Sequence, residues 1–435
     1  DPYNFGMDIL IADNVVLDSY GRGIQFKAEC RKVSILNNIV DGLANGIGGL
    51  IAINSSPDYV GGGTLIIGGN ICSNNPFGAG IICTGAGVEE GSGVTFQTRV
   101  TAVSIVNNII KDVLGDAIDE SFHQDIVISG NQGLNCASGV SCTNAFNSVL
   151  ISGNRFTNTT IDAIFIDSAS VRADVTIIGN VIEHVFGAAR EGISISGGKR
   201  IHIADNAVNN TSGHGIFVDD VTESVVTSGN RVSNTFLNGI YLGDVPRITY
   251  SHNIVGNIGN IGLYSTSSTH ENGRHVTCIG NQVASCVDEG IRLDRLNTLI
   301  VEGNSVQNCG TGTASAGITA IGQSPGGMVT MSGNQIRQVG GSGLSASAGN
   351  VGNKYIFTDN ITDNTVTYGI FCAVGNCVMS VQGNHIANVS GSSRGIYVPA
   401  NSAGQIVGNW VDPLTVTTPL FHSASGGSGD GYQSI

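Results

Sequence analysis

Two acidic residues stand immediately before short apolar segments of similar sequence. Asp162 precedes Ala-Ile-Phe-Ile, Glu191 precedes Gly-Ile-Ser-Ile, and His214 precedes Gly-Ile-Phe-Val. If these segments are neighbouring strands, the two carboxyls come within about 5 Å, and like charges this close raise the pKa of one carboxyl so that it stays protonated. Carboxyl pairs about 5 Å apart hydrolyse glycosidic bonds with retention, and pairs about 6.5–9.5 Å apart with inversion. The pattern predicts Glu191 as the general acid, Asp162 as the nucleophile or base, and His214 as a substrate-binding residue.

A second candidate pair lies in a highly charged stretch, residues 116–123. Asp119 and Glu120 are adjacent there, and His123 follows. The two longest insertions, residues 54–63 and 84–100, come before this stretch. Long loops in a compact repeat often carry function. We therefore expect them to wall a groove that opens onto Asp119, with Asp119 and Glu120 as the alternative catalytic pair.

The middle residues of successive apolar segments should point outward, because side chains alternate between the two faces of a strand. Aromatic residues fill four of five consecutive positions of this kind: Phe165, Phe217, Tyr241 and Tyr264. We predict a track on which sugar rings stack, with Arg292 and the strand-ending Asp219 as further binding residues. The alternatives are that the rings pack against a neighbouring subunit and that Asp219 is an ordinary turn residue.

No resident metal or cofactor is predicted. The ten cysteines match no zinc spacing, and the glycine-rich stretches do not join a strand to a helix as a phosphate loop requires. Calcium bound by the aspartates at strand ends is kept as an alternative. The cysteines are predicted to be small core hydrophobes, with disulfides such as Cys136–Cys142 or Cys372–Cys377 as the alternative.

Charge and hydropathy exclude two kinds of partner. The net charge is −14 with only five lysines, so the chain lacks the basic stripe that displaces counterions from a nucleic-acid duplex. It also lacks an apolar run of about eighteen residues, so no membrane insertion is predicted. The 63 glycines and the low share of charged residues are typical of short strands joined by tight turns.

An internal repeat predicts the elements that position these residues. The motif apolar-x-apolar-x-Gly/Asp-Asn-x-apolar, followed by Gly-Ile-x-apolar, recurs about every 26 residues. This period is too short for a strand–helix–strand unit of about thirty or more residues, but it fits two or three short strands with their turns. The sequence therefore predicts an all-β fold, a single-stranded right-handed parallel β-helix of about 16 coils. The motif asparagines are Asn14, Asn38, Asn70, Asn108, Asn131, Asn154, Asn180, Asn206, Asn230, Asn253, Asn281, Asn304, Asn334, Asn360, Asn384 and Asn409.

These asparagines are given a structural role. Each should adopt the left-handed conformation at a bend between strands, and its amide should bond to the equivalent amide of the next coil. The β-helix is predicted to span residues 1–410 without an internal boundary. Residues 411–435, which end in a Gly/Ser-rich stretch, are predicted to form an extension outside the repeat.

The Gly-Asn and Gly-Ile punctuation of residues 8–411 resembles the pectate-lyase-like superfamily of right-handed parallel β-helices, and most of all the tailspikes of bacteriophages. The resemblance implies an endo-acting polysaccharide depolymerase, a homotrimer, and a location on the virion tail or in the extracellular medium. Two alternatives stay open. One is a lyase or epimerase acting on uronate polymers, for which Arg190, Arg292 and His214 are the candidate cations and base. The other is a non-catalytic carbohydrate-binding spike or adhesin.

Overall fold

The computed structural model describes residues 8–26, 32–45, 48–54, 63–84, 100–121, 123–145, 147–168, 173–267, 274–295, 297–310, 315–322, 326–347, 353–373, 375–390, 394–399, 402–412 and 418–422. Every regular element among them is a β-strand. The chain divides into two compact units, Asp1–Thr222 and Glu223–Ile435, whereas the sequence predicted one uninterrupted repeat. Within each unit every coil contributes one strand to each of three parallel sheets, named A, B and C in chain order. The predicted parallel β-helix is confirmed.

In the first unit, eight coils are described. Sheet A contains Asp8–Ala12, Lys32–Leu36, Gly63–Gly68, Val100–Val106, Asp125–Ser129, Ser148–Ser152, Asp174–Ile178 and Arg200–Ala204. Sheet B contains Val15–Tyr20, Ile39–Asn45, Ile71–Asn75, Ile109–Val113, Gln132–Cys136, Arg155–Thr159, Val181–Val185 and Ala207–Thr211. Sheet C contains Ile24–Phe26, Ile51–Asn54, Ile81–Thr84, Ile118–Ser121, Val140–Thr143, Ile164–Ser168, Ile193–Gly197 and Ile216–Asp219.

In the second unit, another eight coils are described. Sheet A contains Ser224–Ser228, Arg247–Ser251, His275–Ile279, Thr298–Glu302, Met328–Ser332, Lys354–Thr358, Val378–Gln382 and Ala403–Val407. Sheet B contains Arg231–Thr235, Ile254–Ile258, Gln282–Cys286, Ser305–Cys309, Gln335–Val339, Ile361–Thr365, His385–Val389 and Trp410–Val411. Sheet C contains Ile240–Gly243, Leu263–Thr266, Ile291–Asp294, Ile318–Ile321, Leu344–Ser347, Tyr368–Cys372, Arg394–Val398 and Thr418–His422.

The core forms because apolar side chains alternate along each strand and stack from coil to coil. In strand Asp125–Ser129, Ile126 and Ile128 are buried while their neighbours are half-exposed. Parallel pairing places Ile126 beside Val149 and Ile128 beside Ile151 on the next coil. The register is thus fixed, because a shift by one residue would turn every buried aliphatic side chain outward.

The predicted asparagine ladder is confirmed within each unit. In the first unit the side-chain amide of each motif asparagine from Asn14 to Asn180 donates to Oδ1 of the next one at 2.9–3.0 Å. In the second unit the bonds from Asn230 to Asn409 measure 2.8–3.0 Å. These side chains are almost fully buried in both units, apart from the first and the last. The ladder satisfies polar groups that would otherwise be costly to bury.

The predicted backbone conformation of these asparagines is wrong. The residue with positive φ is the one before each motif asparagine, for example Asn107 at 55° and Gly153 at 61°. The asparagine itself begins the next segment and faces inward, which is what lets its amide join the ladder. Gly, Asn and Asp fill most of the positions before it, because these residue types tolerate the left-handed region best.

The predicted end of the repeat at residue 410 is too early. Strand Thr418–His422 pairs with Arg394–Val398 and adds a further strand to sheet C. The nine described cysteines are buried thiols and form no disulfide, as the core interpretation predicted; Cys30 lies outside the described residues. No described helix is long and apolar enough to cross a membrane.

Candidate active site

Asp162, Glu191 and His214 lie on three successive coils, each at the entry to a strand of sheet C. The strand hydrogen bonds show this: Ala163 donates its backbone N–H to the carbonyl of Glu191 at 3.2 Å, and the next residues repeat the pattern towards His214. The backbone N–H of Glu191 also donates to Oδ1 of Asp162 at 2.9 Å. The structure therefore brings together the column of three side chains that the sequence predicted.

The environment sets the protonation of two of these side chains. Burial, followed by the hydrogen bond and the negative charge of Asp162, raises the pKa of Glu191 to about 8. Burial lowers the pKa of His214 to about 4. At neutral pH Glu191 is therefore mostly a protonated carboxylic acid, and His214 is a neutral imidazole.

Two aromatic rings flank the strand that Glu191 enters. Parallel pairing places Ser194 between Phe165 on the preceding coil and Phe217 on the following one. Both rings are half-buried, and the ring of Phe217 lies 5.5 Å from that of His214. Ser194 itself is buried, and Glu191 lies three residues before it at the entry to this strand. Asp219 ends the strand that carries Phe217, and its Oδ1 accepts the backbone N–H of Asp220 at 3.0 Å, a local turn contact.

The alternative pair is not a pair on the outer surface. Asp119 is half-buried and pairs with Ser141 on the outer face, and burial raises its pKa to about 6, aided by Asp116 and Glu120. Glu120 is fully buried inside the coil, where it contacts the imidazole of His123 and accepts from the thiol of Cys142 at 3.1 Å. The prediction that Glu120 shares an outer groove with Asp119 is therefore wrong, because consecutive strand residues point to opposite faces. Most of the two insertions expected to wall that groove lies outside the described residues.

The other predicted binding residues form a cluster in the second unit. Tyr241 and Tyr264 pair on adjacent strands, with ring centroids 5.3 Å apart. The guanidinium of Arg292 lies 5.6 Å from the Tyr264 centroid and donates to Asp294 at 3.1 Å. The Tyr264 hydroxyl also donates to Asp294 at 3.4 Å. Because these groups are occupied with one another, the cluster is a braced part of the sheet surface rather than a row of open rings.

Comparison with known proteins identifies the family. The model of a family described as right handed beta helix region matches residues 89–220 and 191–360, which is more than half of the chain. The chain belongs to the right-handed β-helix family. No curated protein sequence matches it.

Several solved β-helix structures are similar to this one. The catalytic unit of the GH87 α-1,3-glucanase from Streptomyces thermodiastaticus strain HF3-3 is 13% identical, with a TM-score of 0.42, over 86% of this chain and 64% of that one. Tailspike protein 3 of bacteriophage CBA120 is 14% identical, with a TM-score of 0.33, over 91% and 55%. The surface adhesin PfbA of Streptococcus pneumoniae is 13% identical, with a TM-score of 0.30, over 92% and 91%. This β-helix spans less than two thirds of the first two chains. The similarity is one of fold.

Two further candidates in this β-helix were not selected as site residues from the sequence. Phe186 is 60% exposed on the coil that carries Glu191, and its ring stacks at 5.9 Å on His184. Glu289 occupies in the second unit the position of Glu191 in the first. Burial and the neighbouring Asp288 carboxyl raise its pKa to about 7. The Gly-Ile alignment shows the position of Glu289, whereas Phe186 lies in a corner that no strand periodicity marks.

Proposed function

We propose that this protein binds an extracellular polysaccharide and cleaves it by hydrolysis, with Glu191 as the general acid. The observation that carries the proposal is the carboxyl of Glu191, whose pKa is raised by burial and by Asp162, at the entry to the strand that lies between Phe165 and Phe217. A carboxyl with a pKa near the working pH is what acid catalysis of glycosidic cleavage requires. The aromatic rings offer an apolar face to a sugar ring, and the neighbouring carboxyl offers a proton to the glycosidic oxygen.

The mechanism assigns different roles to the two carboxyls. Glu191 gives its proton to the leaving oxygen as the glycosidic bond breaks. The negative charge left on Glu191 then stabilises the positive charge that develops at the anomeric carbon. A water molecule adds its oxygen to that carbon and returns one proton to Glu191, which restores the acid. Asp162 is only 4% exposed, and its Oδ1 accepts the backbone N–H of Glu191, so this carboxylate is not free to attack the anomeric carbon. We therefore assign Asp162 as a positioning residue that keeps Glu191 protonated, rather than as the nucleophile.

The first test replaces Glu191 with glutamine. E191Q keeps the shape of the side chain but cannot donate the proton, so we expect turnover to fall by at least about 10²-fold with binding retained. The measurement is the release of reducing ends from a panel of polysaccharides. The matched control is E183Q on the same coil, where Glu183 forms a solvent-exposed ion pair with Arg155. Full activity of E191Q would refute its role as the acid.

A second candidate function is β-elimination on a uronate polymer. The neutral His214 imidazole would take the proton next to the uronate carboxyl, and the exposed Arg190 guanidinium would neutralise that carboxyl. The same assay separates the candidates, because elimination produces an unsaturated sugar that absorbs ultraviolet light and hydrolysis does not. Binding without either product would favour the adhesin alternative. For each of these functions, we propose that the protein is located on the virion tail or in the extracellular medium.

A further inference from the structure

The outer face of sheet B in the second unit carries an open groove that the proposed reaction does not use. Its volume is about 740 Å³, within the range of small-molecule sites. Polar side chains from four successive coils line it: Gln307, Arg337, Gln338, Asp363, Asn364 and Asn388.

The strand register builds this lining. Gln307, Arg337 and Asp363 are partners on adjacent strands and face outward one after another. The Gln307 amide donates to Oε1 of Gln338 at 3.4 Å, and the Asn388 amide donates to Oδ1 of Asp363 at 2.8 Å. These bonds hold the side chains side by side and leave further amide donors and acceptors facing the groove.

The backbone at Gln338 is unusual for its residue type. Its φ is +54°. Gln338 belongs to a column of equivalent sheet B positions, and the described residues of this column on the neighbouring coils also have positive φ. Most of them are asparagines, for example Asn364 and Asn388. A non-glycine residue in the left-handed region costs about 1–2 kcal/mol, and asparagine is the usual exception because its short amide bonds locally. The longer glutamine side chain does not make the local amide bond that favours asparagine in this conformation. Glutamine at this position is better explained by the hydrogen-bonding amide that it places in the groove.

The charges of the groove also narrow the choice of occupant. Arg337 contributes one positive charge and Asp363 one negative charge, and no described carboxylate forms an ion pair with Arg337. The glutamine and asparagine amides of the groove both donate and accept hydrogen bonds, Arg337 only donates them, and Asp363 accepts them. This combination matches neighbouring hydroxyl groups of a ligand, because each hydroxyl both donates and accepts. A balanced groove neither attracts nor repels a charged polymer. These features fit an uncharged polyhydroxylated chain.

We infer that this groove is a second polysaccharide-binding site, which holds an uncharged polymer chain on the second unit. The inference rests on the proposed function for its class of ligand, but not on any residue of the Glu191 centre. Outward sheet residues spaced one coil apart, by about 4.8 Å, give a chain of sugar units a repeated set of hydrogen-bonding partners.

Affinity electrophoresis tests the inference. Gels containing dextran, laminarin or polygalacturonate are run with the native protein, with Q338G, and with the double variant R337A/Q338G. We expect at least one of the two neutral glucans to retard the native protein, and the double variant to bind it at least about tenfold more weakly because two hydrogen-bonding side chains are lost. Q338G should keep or raise the melting temperature, because glycine adopts positive φ without strain. A matched control is N158G, which changes a half-buried asparagine at the equivalent positive-φ position in the first unit and should bind normally.

Four outcomes would overturn the inference. They are no retardation by either neutral glucan, equal retardation of native protein and variants, retardation by polygalacturonate alone, and a change in self-association in the variants that accounts for the altered mobility. E191Q separates this site from the proposed reaction. If E191Q is retarded by a neutral glucan and this retardation is lost when Gln338 is also replaced, the groove is supported even if Glu191 proves not to be the acid. If the groove variants bind the glucan with native affinity, the groove is rejected whatever the role of Glu191.

Discussion

At the scale of single residues, Asp162 has two roles that can be separated. Its Oδ1 accepts the backbone N–H of the next coil at 2.9 Å. Asp116 does the same for Ser138 at 3.0 Å, and Asn238 for Ile261 at 3.1 Å. The structural role therefore needs only a side-chain carbonyl oxygen, which asparagine supplies. The negative charge of Asp162 is additional, and its effect is to keep Glu191 protonated.

The substitution D162N separates these roles. It should preserve the fold, because Asn238 shows that asparagine makes the same bond. It removes a charge that raises the pKa of Glu191 from its ordinary value towards 8. Since the acid must be protonated, activity of the native protein should decline as pH rises through about 8, and in D162N this decline should start at lower pH. The measurement is kcat/KM against pH, and an unchanged alkaline limb would contradict the pairing.

Glu120 offers the opposite case, a carboxyl that serves the fold. It lies inside the coil against His123 and Cys142, so truncating it leaves a buried imidazole without its partner. Removing one member of a buried pair costs about 3–5 kcal/mol. We expect E120A to unfold at markedly lower urea concentration, while the protein that remains folded keeps its activity. D119N is the control on the outer face of the same strand, and its stability should change little. If E120A were stable but inactive, Glu120 would have to be assigned a catalytic role instead of a structural one.

At the scale of elements, the asparagine ladder carries polar groups through the core of each unit. Oδ1 of Asn154 accepts both the backbone N–H and the side-chain amide of Asn131, at 2.9 and 3.0 Å. Its own amide donates to Asn180 and to the carbonyl of Ile128, each at 2.9 Å. One asparagine thus satisfies groups on three coils. This explains why the sequence repeats the residue so strictly.

Replacing Asn154 tests this role. N154A leaves the backbone N–H of Asn131 without an acceptor and removes one of the acceptors of its side-chain amide, and an unsatisfied buried group costs about 1–3 kcal/mol. We expect the free energy of unfolding to fall by about 3 kcal/mol, measured by urea denaturation. N158G changes a half-buried asparagine four residues away on the outer face and should stay within about 0.5 kcal/mol of the native protein. Similar losses in both variants would mean that the ladder contributes no more than a surface amide.

The sequence predicted the elements better than the faces of individual residues. The spacing of Asn and Gly-Ile gave the strands, because packing in a coil demands a fixed period. The same alternation rule places Glu120 at an inward position, equivalent to Ile166 two coils on, but the local density of charge suggested an outer cluster instead. The left-handed conformation was assigned to the ladder asparagine instead of to the residue before it. The reason is that the asparagine is the same in every copy of the motif, whereas the preceding residue varies between Gly, Asn and Asp in most copies. Coil spacing did predict a raised carboxyl pKa in the Glu191 column, but the bond from the backbone N–H of Glu191 to Asp162 depends on side-chain geometry that spacing alone does not specify.

At the scale of the whole molecule, the apolar surface bears on assembly. The sequence analysis kept open that Phe165 and Phe217 pack against a neighbouring subunit, and both side chains are half-buried within the chain itself. A more exposed strip lies on sheet B of the first unit, where strand register aligns Val15, Ile39, Ile71 and Ile109. Val15 is 63% exposed, Ile39 39% and Ile109 40%. A contiguous apolar strip of this kind marks a surface that gains from being covered.

We predict that a homotrimer covers this strip. The number three follows from the tailspike resemblance, and closed symmetric assembly is the general expectation for identical chains. Placing charges on the strip with I39D/I109D should convert the assembly to monomers, because burying an unpaired carboxylate costs more than the apolar contact gains. L114D alters a 69% exposed leucine outside the strip and should leave the assembly intact. Sedimentation equilibrium at micromolar concentration measures the mass of each species. A native monomer would reject self-association, and a native trimer that both variants leave unchanged would place the interface on another face.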